Sequence, residues 1–89
     1  MATWPLEFLA DAEKDLAKLD RPVRKRIIEK FVWLLQNSDV MVHLPLSGEF
    51  KNFYKLRLGD WRVIYTIDWK KLEVVVSYID RRDKVYKRP

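Results

Sequence analysis

The sequence predicts an α+β fold: a two-helix hairpin packed on one face of a small antiparallel β-sheet, in the order β-α-α-β-β-β. Three observations carry this. Residues 53–67, FYKLRLGDWRVIYTI, alternate in side-chain character on both sides of Gly59-Asp60, as two strands joined by a two-residue turn do. Val23, Ile27, Ile28, Phe31, Leu34 and Leu35 recur at spacings of three and four, which is one face of a helix. The linker at Asp20 between that segment and an earlier amphipathic one is almost absent, which leaves room only for an antiparallel helical hairpin.

Taken in order, residues 4–8 alternate Trp4, Leu6 and Phe8 against Pro5 and Glu7, a short first strand whose proline implies an edge or a strand start. A helix from Ala10 to Leu19 follows, with Ala12, Leu16 and Leu19 on one stripe. Asp20 is placed to cap the second helix and Pro22 lies in its first turn. That helix runs out near Asn37-Ser38. The connection to Phe53 is fourteen residues long and contains Pro45 and Gly48. Loops of that length inside compact domains are usually functional or disordered. His43, the only histidine, stands in this loop with no second metal ligand near it and reads as an ordinary loop or strand-edge residue.

Gly59 at the first central position suits a type II′ turn, and a two-residue loop fixes the register: Leu58 opposite Trp61, Arg57 opposite Arg62, Leu56 opposite Val63, Lys55 opposite Ile64. One face then collects Tyr54, Leu56, Leu58, Trp61, Val63, Tyr65 and Ile67, and Trp61, Val63 and Tyr65 are expected in the core with Ile27, Phe31 and Leu35. The other face collects Lys55, Arg57 and Arg62 beside Ile64 and Thr66. After a four-residue turn, Asp68 to Lys71, Leu72 to Ile79 forms a third strand. Pairing Ile67 with Leu72 sets Val63 against Val76 and Arg62 against Ser77, and alternation adds Ser77, Ile79 and Arg81 to the cationic face.

Like charges directly opposite one another in a sheet cost a few tenths to about 1 kcal/mol, and no carboxylate alternates among these three. The face is either a solvated exterior or an anion site in which a phosphate supplies the counter-charge. Charge distribution bears on the choice. The net charge is +5, but residues 1–49 hold seven Lys/Arg against eight Asp/Glu, whereas residues 50–89 hold eleven against five and end in RRDKVYKRP. A basic half with interleaved aromatics suggests a polyanionic partner, either nucleic acid or an acidic protein that masks it. Eighty-nine residues make one domain, 1–89, with 48% hydrophobic content and a modest core. Absence of cysteine excludes disulfides and thiolate metal sites. No apolar run reaches a membrane span and no signal-peptide pattern opens the chain, so a cytoplasmic protein without membrane partners is expected.

Three segments, AEKDLAKLDRPVRKRI, YKLRLGDWRVIYTID and the closing RRD-x-VYKR, resemble in order and spacing the RelE/ParE superfamily of type II toxin–antitoxin toxins, its RelE branch in particular. The core pattern Y-[KR]-[LI]-[KR]-x-G-D-[YW]-R-[VL]-[IV]-Y carries the resemblance. It implies a ribosome-dependent messenger-RNA endonuclease that uses no metal or other cofactor. In that chemistry the substrate's 2′-hydroxyl attacks the adjacent phosphodiester, giving 2′,3′-cyclic phosphate and 5′-hydroxyl ends. It further implies a co-encoded antitoxin with an acidic segment, through which the complex binds operator DNA. By resemblance the catalytic set is Lys55, Arg57, Arg62 and Tyr86, with Arg81 or Arg82 in the last basic role; Lys51, Lys84, Lys87 and Arg88 would bind RNA.

Two departures matter. The second basic position, often lysine in the family, is Arg57, and guanidinium does not give up its proton. Many relatives have a G-H-R-like segment before the tyrosine, where this chain reads Ile79-Asp80-Arg81-Arg82. Strand alternation favours Arg81 and motif alignment Arg82. Lys55 is then the candidate base, and Tyr86 an acid, a base or a stacking residue. Two readings from other classes stand beside this one: a ParE-like toxin that poisons DNA gyrase by binding alone, and a catalytically silent antitoxin-binding module.

Overall fold

A computed structural model describes residues 4–46, 48 and 52–85. The elements are β1 (Leu6–Phe8), α1 (Ala10–Lys18), α2 (Arg21–Asn37), β2 (Leu44–Pro45), β3 (Tyr54–Leu58), β4 (Trp61–Asp68) and β5 (Glu73–Arg81). They form one five-stranded sheet in the order β1-β5-β4-β3-β2, with the two helices against one face.

The helices begin and end for local reasons. Asp11 and Glu13 in the first turn of α1 and Lys18 in its last complement the helix dipole. Asp20 occupies the cap position of α2, but its side chain makes no capping bond; its carbonyl accepts the Arg24 N–H at 2.8 Å. Pro22 is tolerated in the first turn, where an N–H has no partner in any case. At the other end, Ser38 Oγ donates to the Leu34 carbonyl and Asn37 Nδ2 donates to the Trp33 carbonyl at 2.7 Å, closing the last turn.

The hairpin register is the one the turn dictates, from Tyr54↔Tyr65 to Leu58↔Trp61, and Gly59 has the positive φ, 59°, that a type II′ turn needs. Leu56, Val63 and Tyr65 are buried with Ala12, Leu19, Ile27, Phe31 and Leu34, while Leu35, Trp61 and Leu58 pack against them partly exposed.

Three expectations need correction. β1 lies at an edge, as Pro5 suggested, but runs parallel to β5, Leu6 pairing with Val74 and Phe8 with Val76. The long connection contains a strand, β2, which pairs Leu44 with Lys55 and Pro45 with Tyr54. The β4–β5 register is also displaced. Asp68 Oδ1 accepts the N–H groups of Lys70 and Lys71 at 3.1 and 3.2 Å, so Asp68 remains in the ladder opposite Glu73, and Leu72, at φ 52°, completes the loop. Ile67 therefore meets Val74 rather than Leu72. Further along, a bulge lets Ser77 pass unpaired, because Tyr65 faces Val76 while Ile64 faces Tyr78. One extra residue reverses the alternation: Ile79 joins the helix-facing core opposite Val63, and Asp80 lands opposite Arg62.

β1 ends opposite Val76, which uncovers the β5 edge beyond it. Asp15 on α1 covers part of that edge by accepting the Ile79 N–H at 2.9 Å. Phe31 is the keystone between layers, 3% exposed and edge-on to Phe8 at 5.3 Å. Phe31→Ala is expected to cost about 3–5 kcal/mol, most of the stability of a domain this small. Urea unfolding followed by circular dichroism measures it; a loss below about 1 kcal/mol would remove Phe31 from the core.

Candidate functional site

The sheet face turned away from the helices carries Lys55 and Arg57 on β3 and Arg62 on β4. The three cations do not behave alike. Arg57 is exposed and Lys55 half-buried. Arg62 is only 8% exposed, and its Nη1 donates to the carbonyls of Gly59 at 2.7 Å and Trp61 at 2.8 Å. Its guanidinium is folded onto the hairpin turn, whose carbonyl dipoles take up charge that would otherwise face Arg57 directly. Asp80, opposite Arg62 on β5, supplies a carboxylate to this face that the expected register had put elsewhere. These two placements explain why a like-charge pair is tolerated in the ladder.

The bulge decides where the two C-terminal arginines stand. Arg81 lies opposite Trp61, on the helix side of the sheet, and its guanidinium carbon is 5.3 Å from the centre of the Trp61 ring. Alternation therefore does not bring Arg81 to Lys55 and Arg57. Ile79 joins the helix-facing core instead, and Ser77, unpaired at the bulge, is buried. Arg82 follows the strand, and its N–H donates to the Asp60 carbonyl at 2.8 Å, which ties it to the hairpin turn. Asp60, Arg81, Arg82 and Asp83 line a depression of about 240 Å³ there. Lys84 is exposed in the turn that follows, its N–H on the Arg81 carbonyl at 3.0 Å. Tyr86, Lys51, Lys87 and Arg88 lie outside the described residues.

The centre of this face is apolar. Ile64, Tyr78 and Val85 are buried together, with Leu46 and Phe53 packed around them. The cations border a second, small core that fastens the chain through Val85. Sequence reasoning missed this cluster because its members are scattered from Leu46 to Val85, and the hairpin stretch holds only Phe53 and Ile64 of them.

His43 was also underrated. It bridges Tyr65 Oη, 2.7 Å from Nδ1, and the Ser38 carbonyl, 2.9 Å from Nε2. Tyr65 is fully buried, and its phenol is pushed well above the ordinary tyrosine value by that burial, with the neighbouring Tyr54 adding to it, so it keeps its proton. No group of three or more His, Asp or Glu among the described residues could hold a metal ion, and none of the described helices is long and apolar enough to cross a membrane. On the outer side of α2, Ile28, Val32 and Trp33 are exposed, and Arg21, Arg24, Lys25, Ile28 and Glu29 line an open groove of about 620 Å³.

Residues 6–86 match the family described as the ParE toxin of type II toxin–antitoxin systems. The chain is similar to toxin RelG of Mycobacterium tuberculosis (strain ATCC 25618 / H37Rv), 28% identical over 85 residues that span 96% of this chain and 98% of that protein. It is similar to toxin RelE of the same organism, 30% identical over 78 residues, 88% of this chain and 80% of that one. Its fold superposes on the crystal structure of the toxin–antitoxin complex RelBE2 from Mycobacterium tuberculosis with a TM-score of 0.81 and 28% identity, covering 92% and 94% of the two chains.

The geometry assigns Arg62 to the turn. Arg62→Met keeps an apolar stem and removes the guanidinium, so it should cost about 1.5–3 kcal/mol, the worth of a charge-assisted hydrogen bond. Chemical denaturation reads the loss, and amide exchange should localise it to residues 57–62. Unchanged stability would mean that the guanidinium is free to serve another role.

Proposed function

The chain belongs to the ParE toxin family of type II toxin–antitoxin systems, and within it we propose that it acts as RelE toxins are expected to act, as a metal-independent endoribonuclease that cuts messenger RNA in the ribosomal decoding site. One observation carries the reading: Lys55 and the exposed Arg57 stand side by side on an open sheet face, with Arg82 tethered to the adjoining hairpin turn.

Cyclising cleavage needs three things: a proton removed from the 2′-hydroxyl, stabilisation of the charge on a pentacoordinate phosphorus, and a proton for the leaving 5′-oxygen. Preformed cations aimed at the phosphate perform the second task, often the largest single contribution to such catalysis. Arg57 and Arg82 are assigned to it, since a planar guanidinium can hold two phosphate oxygens at once. Lys55 is the only member of the sheet trio that can act as a base, its uncharged amine taking the proton from the 2′-hydroxyl. Tyr86 is assigned the proton for the 5′-oxygen. Arg62 supports these groups by fixing the turn, and Arg81 is left to Trp61. Lys51, Lys84, Lys87 and Arg88 extend the positive field along the RNA.

The same charges define the partners. A cognate antitoxin is proposed to mask the cations with an acidic segment that orders on binding. The basic, partly apolar groove along α2 is a second surface of matching character. Operator DNA is reached through the antitoxin, and the ribosome presents the messenger in the cytoplasm.

The family's description as a ParE toxin favours one competing reading, a gyrase poison that works by binding alone. Charge-preserving substitutions separate the two. Lys55→Arg installs a permanent positive charge and removes the group able to act as a base, so cleavage on programmed ribosomes should fall roughly 10²–10⁴-fold, the usual size of a general acid–base contribution. Ribosome binding should change little. Arg57→Lys should retain substantial cleavage with a weaker hold on the phosphate. A Lys55→Arg protein that cuts at nearly the original rate would make Lys55 an anchor and move the search for the base to Tyr86. Growth arrest without any messenger cleavage by the parent protein would support the gyrase reading.

A further inference from the structure

The segment from Ser38 to Leu46 crosses from the end of α2 to the free edge of β3, and the ladder alone holds it thinly. β2 has two residues, and one of them, Pro45, has no N–H to donate. A two-residue strand at a sheet edge is not stable by itself. Yet Leu44 pairs with Lys55, and the Leu46 N–H donates to the Phe53 carbonyl at 3.0 Å. What fastens the segment is the side chain just before the strand.

His43 Nε2 faces a carbonyl oxygen, that of Ser38, which can only accept, so Nε2 carries a hydrogen, and Nδ1 is hydrogen-bonded to the Tyr65 hydroxyl. Both partners are anchored. Ser38 is buried and bonded to the Leu34 carbonyl; Tyr65 is fully buried in the centre of β4. Four aromatic rings enclose the imidazole. Trp4 is stacked at 6.1 Å, and Tyr54, Tyr65 and Trp69 are edge-on at 5.6, 5.8 and 6.2 Å. His43 thus ties the end of α2, the N-terminal segment and the middle of the sheet to one point, a single residue before the pairing with Lys55.

The consequence reaches Lys55. In a two-residue hairpin the closing pair, Leu58–Trp61, is hydrogen-bonded, and alternation then turns the Lys55 backbone groups toward β2 rather than β4. Residues directly opposite share a face, so the Lys55 stem lies between Ile64 on one side and Leu44 on the other. Without β2, Lys55 would sit on a bare edge strand with one wall missing. We infer that His43 is a positioning residue for Lys55, acting through the β2 segment that it staples to Ser38 and Tyr65; its catalytic consequence rests on the nuclease reading above.

Three variants test this: Tyr65→Phe, which removes one hydroxyl and keeps the ring; His43→Phe, which keeps an aromatic ring and removes both hydrogen bonds; and His43→Gln, whose amide can still donate to the Ser38 carbonyl. Amide hydrogen exchange is compared with cleavage on programmed ribosomes. In His43→Phe, exchange at Leu46 and Lys55 should accelerate about tenfold or more, the worth of one or two hydrogen bonds, while α1 and β5 keep their protection. The kcat should fall with KM little changed, Tyr65→Phe should show a weaker version, and His43→Gln should recover part of both. Native exchange at Leu46 and Lys55 in folded His43→Phe would overturn the inference, and so would uniform acceleration over the whole chain, which marks a mere core residue. Lost protection with unchanged kcat would also overturn it, while leaving the nuclease reading intact if Lys55→Arg is inactive. If His43→Phe does not fold, the same criteria apply to Tyr65→Phe. If the parent protein does not cleave at all, the nuclease reading fails, the catalytic half of the inference is overturned with it, and exchange alone decides whether His43 holds the Lys55 edge.

Discussion

The cationic end of the molecule depends on one constraint, the register of the β3–β4 hairpin at Gly59-Asp60. Side chains alternate with period two, so a slip of one residue would turn Leu56, Val63 and Tyr65 to the outside and drive Lys55, Arg57 and Arg62 into the core. Burying even one unpaired charge costs far more than the few tenths to about 1 kcal/mol of a like-charge pair across a ladder. The core therefore forces the cations onto one face. Arg62 then strengthens the same constraint, because its hydrogen bonds to the Gly59 and Trp61 carbonyls close the turn that placed it.

Opposite faces of the sheet consequently do different work. The helix-facing side holds the larger core, from Ala12 to Ile79, and supplies stability. Among the described residues, the other side is covered by the small cluster of Ile64, Tyr78 and Val85 with Leu46 and Phe53, and Arg57 stands exposed at its hairpin end. Backbone hydrogen bonds tie separate chain segments together there: the Arg82 N–H to the Asp60 carbonyl and the Leu46 N–H to the Phe53 carbonyl.

Much of this was legible in the sequence. The hairpin register follows from the turn length, and α2 from its three-and-four spacing; both are local rules that tertiary context does not overturn here. The C-terminal third was not. Nothing in Val74-Val75-Val76-Ser77 marks the bulge, which leaves one residue of β5 unpaired opposite Ile64 and Tyr65. That single residue moved Ile79 into the core, sent Arg81 to Trp61 and gave Asp80 the place opposite Arg62. β2 escaped notice because two residues containing a proline carry no strand signal. His43 escaped because its partner Tyr65 is twenty-two residues away and the contact is purely tertiary. Family resemblance points to Arg82 where alternation points to Arg81, and the observed register removes the alternation argument for Arg81.

In the proposed function, cations on a sheet face direct an RNA 2′-hydroxyl at its own phosphate. Mapping the ends of cellular transcripts after induction tests it most directly. Cyclising cleavage yields 5′-hydroxyl and 2′,3′-cyclic phosphate ends, clustered within translated reading frames and absent when translation initiation is blocked. Intact transcripts accompanied by DNA double-strand breaks would contradict it, and 5′-phosphate ends would show that the hydroxyl attacking phosphorus is not the RNA's own.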